Sequence, residues 1–324
     1  MNVHQSQYLL WLNGNPVSHE LVGGKAASLS RLAQLGAPVP EAFTLTTDAY
    51  DEIACLLHLP VKASQVRDDE LVAIRSAILE AELPVHLREV INHGYRAING
   101  QAPNGQALAV RSSAIAEDSP EFSFAGLHDT ILDVSDLATL EHAIKQCWAS
   151  LWSERAVVYR RSGDDTLDRA TMAVVVQRLV RCDVSFIVFT ADPISFLDDH
   201  LIISATYGLG EAVVSGLVTP DHIVIDAGGD VESYQIGEKE VMIIPGASSG
   251  DGVRQVPVPR MLGRQQALSH DQAREIGRVA RHLACELGFP LDIEGGIAEG
   301  EIHLFQVRPI TTLNRAPRPR KSDS

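Results

Sequence analysis

Two short segments near the C-terminus constrain the fold of this 324-residue chain more than any other feature. Asp292-Ile293-Glu294 and Gln306-Val307-Arg308-Pro309 alternate polar and apolar residues, and a Gly-rich, acidic stretch separates them. Residues two apart share one face of an extended strand, so the polar side chains of each segment point the same way. If the two strands pair, two carboxylates, an amide and a guanidinium converge. Such a set can hold a hard divalent cation beside a polyphosphate.

The rest of the chain alternates between helical and strand-like patterns. Apolar spacing predicts a helix after Gly23-Gly24-Lys25, helices within 47–60 and 69–99, and a helix that starts at the Ser269–Gln272 capping box. Residues 246–266 are rich in Gly, Pro and polar residues, and we expect them to be irregular. Alternating or β-branched runs predict strands at Ala107–Arg111, Thr130–Val134, Met172–Gln177, Phe186–Thr190, Leu201–Ser204, His222–Ile225 and Val241–Ile244.

This distribution predicts a mixed α+β fold. A chain of this length can bury two cores, so two subdomains are expected. We place a helix-rich subdomain at residues 1–180 and a sheet-rich subdomain at residues 181–313. Residues 314–324 form a basic tail, and polar termini of this kind are typically frayed.

Composition excludes several classes of protein. The net charge of −15 argues against a nucleic-acid-binding surface, because neutralising phosphates requires a basic stripe. No apolar run is long enough to span a membrane, and the N-terminus lacks a signal-peptide pattern. The four cysteines are scattered without C-x-x-C spacing in mostly apolar surroundings. They predict buried, reduced thiols and a cytoplasmic location.

Gly23-Gly24-Lys25 resembles a phosphate-binding loop but is not a Walker A motif. His19 stands where that motif has its first Gly, and Ala26 stands where it has Ser or Thr. A lysine in the first turn of a helix opposes the helix dipole unless an anion binds there. Two interpretations of Lys25 therefore stay open: it binds a phosphate, or it is an ordinary surface lysine.

Arg111-Ser112-Ser113 breaks the apolar pattern at the end of a predicted strand. A guanidinium with two neighbouring hydroxyl groups suits bidentate recognition of phosphate. The alternative is an ion pair between Arg111 and a nearby carboxylate such as Glu117.

Two further motifs match familiar patterns without the required context. Gly208–Val213 lacks the third Gly of a dinucleotide-binding fingerprint, although a loop facing a nucleotide stays open as an interpretation. Gly246–Gly250 matches the G-x-S-x-G pattern of hydrolases, but no helix follows it at once.

Taken in order, these segments resemble a known family. The motifs that carry the resemblance are Val22–Leu29, Ala109–Ser113, Phe124–Thr130, Thr190–Pro193, Tyr207–Glu211, Asp292–Glu294 and Gln306–Pro309. They are similar to the nucleotide-binding domain of phosphoenolpyruvate synthase and pyruvate phosphate dikinase, and rifampin phosphotransferase has a similar domain. The resemblance covers about residues 8–313. It implies an ATP-grasp-like fold, in which two α+β subdomains clamp ATP between them.

The resemblance also implies roles for individual residues. The phosphate-binding and catalytic side chains would be Lys25, Arg111 and Arg308. Mg²⁺ would be held by Glu294 and Gln306, with Asp292 in support. The adenine side would comprise Gln177, Leu179, Val180 and Glu211, and a lid over the phosphates would include Gly126, His128 and Thr130. These roles suit phosphoryl transfer, which depends on positioning and charge neutralisation.

Leu127, in the lid, occupies a position where the family often has Gln, and the sequence departs from the family at two further positions. Phe186 follows Ser185 where family members usually have Gly, and Gly295 follows Glu294 where a Trp is common. These departures affect the adenine pocket and leave the phosphate-binding residues intact.

The function implied by the resemblance is that of an ATP-binding phosphotransferase component. Full-length relatives carry a phosphorylatable His on a swivelling domain and bind the phosphoryl acceptor on another domain. The sequence shows neither, so we expect a separate His-carrier protein and an unidentified small-molecule acceptor. A direct small-molecule kinase or ligase of the ATP-grasp type and a non-catalytic nucleotide-binding module are the alternatives.

Overall fold

A computed structural model describes residues 7–100, 106–115, 130–162, 168–191, 200–246 and 250–310. Its α-helices are α1 (His19–Gln34), α2 (Thr47–Leu56), α3 (Leu71–Glu80), α4 (Val85–Asn99), α5 (Leu137–Ser150), α6 (Glu154–Arg161), α7 (Glu211–Val214) and α8 (His270–Leu287). Two 3₁₀ turns lie at Ala63–Gln65 and Asp68–Glu70. This mixture of helices and strands confirms the predicted α+β class.

The strands are β1 (Leu9–Trp11), β2 (Ala42–Leu45), β3 (Leu108–Ala114), β4 (Thr130–Val134), β5 (Met172–Arg178), β6 (Val184–Phe189), β7 (Leu201–Tyr207), β8 (Asp221–Ile225), β9 (Val231–Gln235), β10 (Val241–Pro245), β11 (Val253–Pro257), β12 (Leu291–Ala298) and β13 (Glu301–Pro309). They form a five-stranded sheet in the order β1-β2-β5-β3-β4, a six-stranded sheet in the order β13-β12-β6-β7-β8-β9, and the hairpin β10-β11.

The five-stranded sheet packs against helices of the N-terminal half. Its core contains Tyr50, Trp148 and Trp152, which are fully buried. The indole N–H of Trp152 donates to the Tyr50 hydroxyl at 2.9 Å, so the Trp152 donor is satisfied within the core.

The six-stranded sheet has its own core beneath α8. Ile276, Ala280 and Leu283 recur along one face of that helix and pack with the sheet. Leu32 at the end of α1 joins this second core, and the Leu304 N–H donates to the Pro38 carbonyl at 2.9 Å. The predicted subdomain boundary at residue 180 lies between the strands of the two sheets and stays a prediction.

Local chemistry accounts for several helix ends. The predicted Ser269–Gln272 capping box forms, and the Gln272 N–H donates to the Ser269 hydroxyl at 3.2 Å. Gly288 ends the same helix in the left-handed conformation, as glycine often does after a last helical turn. Residues 69–99 form two helices rather than one, because Pro84 lacks the N–H that a continuous helix requires.

Two expectations need correction. Residues 246–266 are not irregular throughout, because Val253–Pro257 pairs with Val241–Pro245 as an antiparallel strand. The surrounding Gly and Pro residues obscured this short strand in the sequence. The cysteines are all free thiols, but Cys55 and Cys285 are exposed, since they fall on the outer faces of α2 and α8.

The start of α1 approaches β3 very closely. Gly23 has φ 72°, so it interrupts the helix and a new helical stretch begins at Gly24-Lys25, as predicted. A Cβ atom on Gly23 would lie 2.1 Å from the Ser113 carbonyl oxygen. The Ser113 hydroxyl also donates to the Val22 carbonyl at 2.7 Å and accepts from the Ala26 N–H at 3.1 Å. Glycine is therefore needed here to seat Lys25 against β3.

We predict that Gly23→Ala destabilises the fold more than Gly36→Ala. Gly36 has φ 73°, and no atom lies within 4 Å of the position that an added Cβ would take, so its substitution costs only the left-handed backbone penalty, about 1–2 kcal/mol. Gly23→Ala adds the clash with Ser113, about 1–3 kcal/mol more. Urea denaturation of both variants measures the difference, and equal losses would contradict the close approach.

Candidate functional site

A cavity of about 490 Å³ lies between the five-stranded and six-stranded sheets. From the first half of the chain it is lined by Lys25, Ala109, Arg111, Thr130, Leu132, Gln177, Arg178, Leu179 and Val180. From the second half it is lined by Ser185, Phe186, Ile187, Leu209, Gly210, Glu211, Val213, Val214, Ser215, Glu294, Phe305, Gln306 and Arg308. Most of the site residues predicted from the sequence therefore share one cavity.

Lys25 and Arg111 provide positive charge on the side of the five-stranded sheet. The Lys25 ammonium donates to the Ser112 carbonyl at 3.1 Å, which holds it beside β3. Because both residues line the cavity, the structure places them where an anion could be bound. Glu117, the alternative partner of Arg111, lies outside the described residues.

Burial makes the Arg111 guanidinium unusual. Desolvation lowers the pKa of Arg111, and the nearby Glu294 carboxylate opposes that shift. Its Nε is buried and has no hydrogen-bond partner among the described residues. A buried donor without a partner costs free energy, and an anion in the cavity would supply an acceptor.

The β12–β13 hairpin confirms the convergence inferred from strand alternation. Asp292 lies opposite Arg308, and Glu294 lies opposite Gln306. Glu294 and Gln306 line the cavity, so a carboxylate and an amide oxygen are available on adjacent strands. These are hard oxygen donors of the kind that Mg²⁺ prefers.

Asp292 occupies a different environment from Glu294. It does not line the cavity, and its side chain is 7% exposed. Its Oδ2 accepts a hydrogen bond from Arg308 Nε at 2.7 Å and forms an ion pair with Arg308 Nη2, also at 2.7 Å. Burial raises the pKa of the Asp292 carboxyl, although the Arg308 charge and hydrogen bond lower it. Its Oδ1 is buried without a partner in the described part of the chain. Asp292 therefore contacts Arg308, which lines the cavity, and does not line the cavity itself.

A β-bulge adds an aromatic residue that strand alternation did not predict. The β12–β13 register shifts after Glu294, so that Gly295 lies opposite Leu304 and Phe305 is the extra residue. Strict alternation would place Phe305 and Gln306 on opposite faces. The bulge allows both to line the cavity. Because the bulge arises from the pairing of two strands, neither segment alone carries a sequence signal for it.

The connection after β5 forms another wall of the cavity. Leu179 and Val180 lie on it, and the Leu179 N–H donates to the Ala107 carbonyl at 2.8 Å. Gln177 is 1% exposed, and its Nε2 has no partner among the residues described. Glu211 is the first residue of α7 and also lines the cavity.

The predicted lid is described only at its end. Thr130 begins β4, is exposed and lines the cavity. Gly126 and His128 lie outside the described residues.

The two family departures near Glu294 face each other. Phe186 on β6 lies directly opposite Gly295 on β12. A Cβ atom on Gly295 would lie 2.5 Å from the Phe186 ring, so the ring needs the glycine beneath it. The glycine at position 295 therefore leaves the space that the large Phe186 ring occupies.

Some features are absent from the described ranges. They contain no group of three or more His, Cys, Asp or Glu side chains suited to a metal ion. None of the described helices combines the length and apolar character required to cross a bilayer. Glu294 and Gln306 offer two oxygen donors, and Mg²⁺ in proteins usually completes its six ligands with phosphate oxygens and water.

Comparison with known proteins identifies the family. The family model for "Pyruvate phosphate dikinase, AMP/ATP-binding domain" matches residues 19–324. The chain belongs to this family. The cavity accordingly lies within an AMP/ATP-binding domain, which confirms the resemblance drawn from the ordered motifs.

Curated proteins similar to this chain carry several different names. A probable phosphoenolpyruvate synthase from Methanocaldococcus jannaschii is 34% identical over 98% of this chain and 28% of its own length. A rifampicin phosphotransferase from Streptomyces sviceus is 39% identical over 92% of this chain and 35% of its own. The prodigiosin synthesizing transferase PigC from Serratia marcescens is 36% identical over 90% of this chain and 32% of its own. The chain thus spans about a third of these relatives.

Among solved structures, D-alanine–D-alanine ligase from Helicobacter pylori overlaps 75% of this chain and 54% of its own chain. The TM-score is 0.31 and the identity is 11%, which is too low a similarity to carry the ATP-grasp assignment.

We predict that Asp292→Asn and Glu294→Gln affect stability differently, although both replace a carboxylate by its amide on the same strand. Asp292→Asn weakens the charged hydrogen bond and removes the ion pair with Arg308, and it should lower the free energy of unfolding by about 1.5–3 kcal/mol. Glu294 faces the open cavity, where solvent screens its charge, so Glu294→Gln should cost less than about 1 kcal/mol. Urea denaturation without nucleotide tests this order, and the reverse order would contradict it.

Proposed function

We propose that this chain is an ATP-dependent phosphotransferase component that binds Mg-ATP between its two sheets, in the manner of an ATP-grasp clamp. The observation that supports the proposal best is the convergence of three cationic side chains with two oxygen donors around one cavity. The cationic side chains are Lys25, Arg111 and Arg308, and the oxygen donors are Glu294 and Gln306.

Glu294 and Gln306 are the residues that would hold Mg²⁺. Their direct register across β12 and β13 fits a cation that takes only one or two protein ligands and shares the phosphate oxygens. Bound there, Mg²⁺ supplies neutralisation of the charge on the polyphosphate during transfer.

The cationic residues would position the phosphates. Lys25 is held by the Ser112 carbonyl, and the Arg111 Nε is buried without a hydrogen-bond partner among the described residues. Arg308 is held by a hydrogen bond from Nε to Asp292 Oδ2 and by an ion pair of Nη2 with the same oxygen, which restrains its guanidinium. Side chains restrained in this way stabilise a developing charge without reorganising during the reaction.

The connection after β5 would contact the nucleoside. Leu179 and Val180 provide apolar contact for the base, and the buried amide of Gln177 offers a donor without a partner in the described ranges. Glu211 would contact the ribose or the adenine side. Phe305 on β13 also lines the cavity, and its aromatic face would suit a nucleobase.

The phosphoryl group would pass to a separate His-carrier protein, and from there to a small-molecule acceptor, in the cytoplasm. The family membership and the names of the relatives, which include a phosphoenolpyruvate synthase and a rifampicin phosphotransferase, support transfer rather than nucleotide binding alone. Gly126, His128 and Thr130 would close over the phosphates.

Calorimetric titration with ATP tests this function directly. Wild-type protein should bind ATP more tightly with Mg²⁺ than with a chelator, because Glu294 and Gln306 contribute only when the cation is present. Glu294→Gln should reduce that dependence. Absence of ATP binding by the wild-type protein would falsify the proposal.

Transfer of label from radiolabelled ATP shows which acceptor receives the phosphoryl group. Label transferred to an added His-carrier protein supports the proposed route, whereas label transferred to a small acid without any carrier indicates a direct kinase or ligase. Binding without transfer to either acceptor indicates a nucleotide-binding module.

We predict that Lys25→Met weakens ATP binding about 10- to 100-fold, which corresponds to the loss of one charge-assisted hydrogen bond. Adenosine carries no phosphate, so its affinity should change little. Lys145→Met is the matched control, because Lys145 also donates to a backbone carbonyl, that of Ala81 at 3.2 Å, but does not line the cavity. Equal effects of the two variants on ATP affinity, measured by calorimetry, would show that Lys25 has no phosphate contact.

A further inference from the structure

The β10–β11 hairpin connects the two sides of the cavity. In its turn, the Gly250 N–H donates to Asp133 Oδ2 on β4 at 3.2 Å. Along β10, the Ile243 carbonyl accepts from the Leu209 N–H at 2.8 Å. The hairpin therefore contacts an edge strand of the five-stranded sheet and the segment Gly208–Glu211, which follows β7 of the six-stranded sheet.

Asp133 has an uncommon conformation for its residue type. Its φ is 63°, in the left-handed region, and the residue is 2% exposed. A non-glycine residue stays in this region when the surrounding structure holds it there. Burial raises the pKa of the Asp133 carboxyl, whereas the backbone N–H groups of Gly250 and Gly252 and the charge of Arg181 oppose that shift. Arg181 Nη2 lies 3.9 Å from Asp133 Oδ1.

Gly250 fits against β4 because it carries no side chain. Gly250 has φ 94°, and a Cβ atom there would lie 2.3 Å from the Ser135 hydroxyl. The Gly246 N–H donates to the Gly252 carbonyl at 2.7 Å, which closes the turn. The contact thus requires both the Asp133 carboxylate and a glycine at 250.

A small apolar cluster packs between the hairpin and the cavity wall. Leu209, Ala212 and Ile243 form its buried centre, and Leu132 and Val253 pack against them. Leu132 and Leu209 also line the cavity. The hairpin, β4 and the Gly208–Glu211 segment therefore share one packed contact region at the cavity wall.

We propose that Asp133 is a positioning residue for this cavity: through the β10–β11 hairpin it fixes the Gly208–Glu211 segment, and with it Glu211, at the cavity wall. The effect on nucleotide binding rests on the proposed function, whereas the effect on the segment itself does not. Loss of the Asp133 contact loosens the hairpin and exposes the Leu209–Ile243 hydrogen bond to solvent.

Asp133→Gly tests the proposal without straining the backbone, because glycine adopts φ 63° readily. Hydrogen exchange at the Leu209 amide is the readout, and the Leu12 amide, which donates to the Ala42 carbonyl at 2.9 Å, is the internal reference. We expect Leu209 to exchange roughly 10-fold faster in the variant and Leu12 to be unchanged.

Gly250→Ala should produce the same local change from the other side of the contact. Gly229→Ala is its matched control, since Gly229 has φ 93° and a Cβ there would meet only Arg281 Nη1, at 4.0 Å. Unchanged Leu209 exchange in Asp133→Gly and Gly250→Ala would overturn the proposal. Equal acceleration at Leu209 and Leu12 would also overturn it, because it would indicate general destabilisation.

The dissociation rate of a fluorescent ATP analogue tests the consequence for the cavity. Asp133→Gly should release the analogue about 10-fold faster than the wild-type protein. Faster Leu209 exchange with an unchanged dissociation rate would contradict the positioning role. If the wild-type protein binds no nucleotide, the proposed function fails, and the exchange data still decide whether Asp133 fixes the segment.

Discussion

The register of β12 against β13 is the constraint on which the rest of the site depends. It places Glu294 opposite Gln306 and Asp292 opposite Arg308, so one pair of strands carries both the oxygen donors and an oriented cation. A slip by one residue would turn these side chains to the opposite face. The core beneath α8 opposes such a slip, because Ile293 and Val307 must stay buried on the other side of the same strands.

Much of this arrangement follows from sequence, since it depends on local rules. Strand alternation predicted the shared face of Asp292 and Glu294, and the capping box predicted the start of α8 at Ser269. The helical stretch that opens at Gly24-Lys25 also followed from the local pattern, whereas the helical turn before Gly23 did not. Family membership then rests on motifs distributed over nearly the whole chain, and the matched range confirms it.

Features that depend on distant contacts did not follow from sequence. The β-bulge that brings Phe305 to the cavity arises from the pairing of two strands rather than from either strand alone. Asp292 shares a face with Glu294, but it contacts Arg308 and does not line the cavity. The β10–β11 hairpin was hidden among Gly and Pro residues, and its contact with Asp133 joins positions more than a hundred residues apart.

The central proposal is that the two sheets hold one nucleotide between them, with cationic side chains from both sheets on its polyphosphate. A crystal structure with Mg²⁺ and a non-hydrolysable ATP analogue tests that claim most directly. We expect the cation between Glu294 and Gln306, with phosphate oxygens within hydrogen-bond distance of Lys25, Arg111 and Arg308. A nucleotide bound outside this cavity, or phosphates that contact only one of the two sheets, would contradict the clamp.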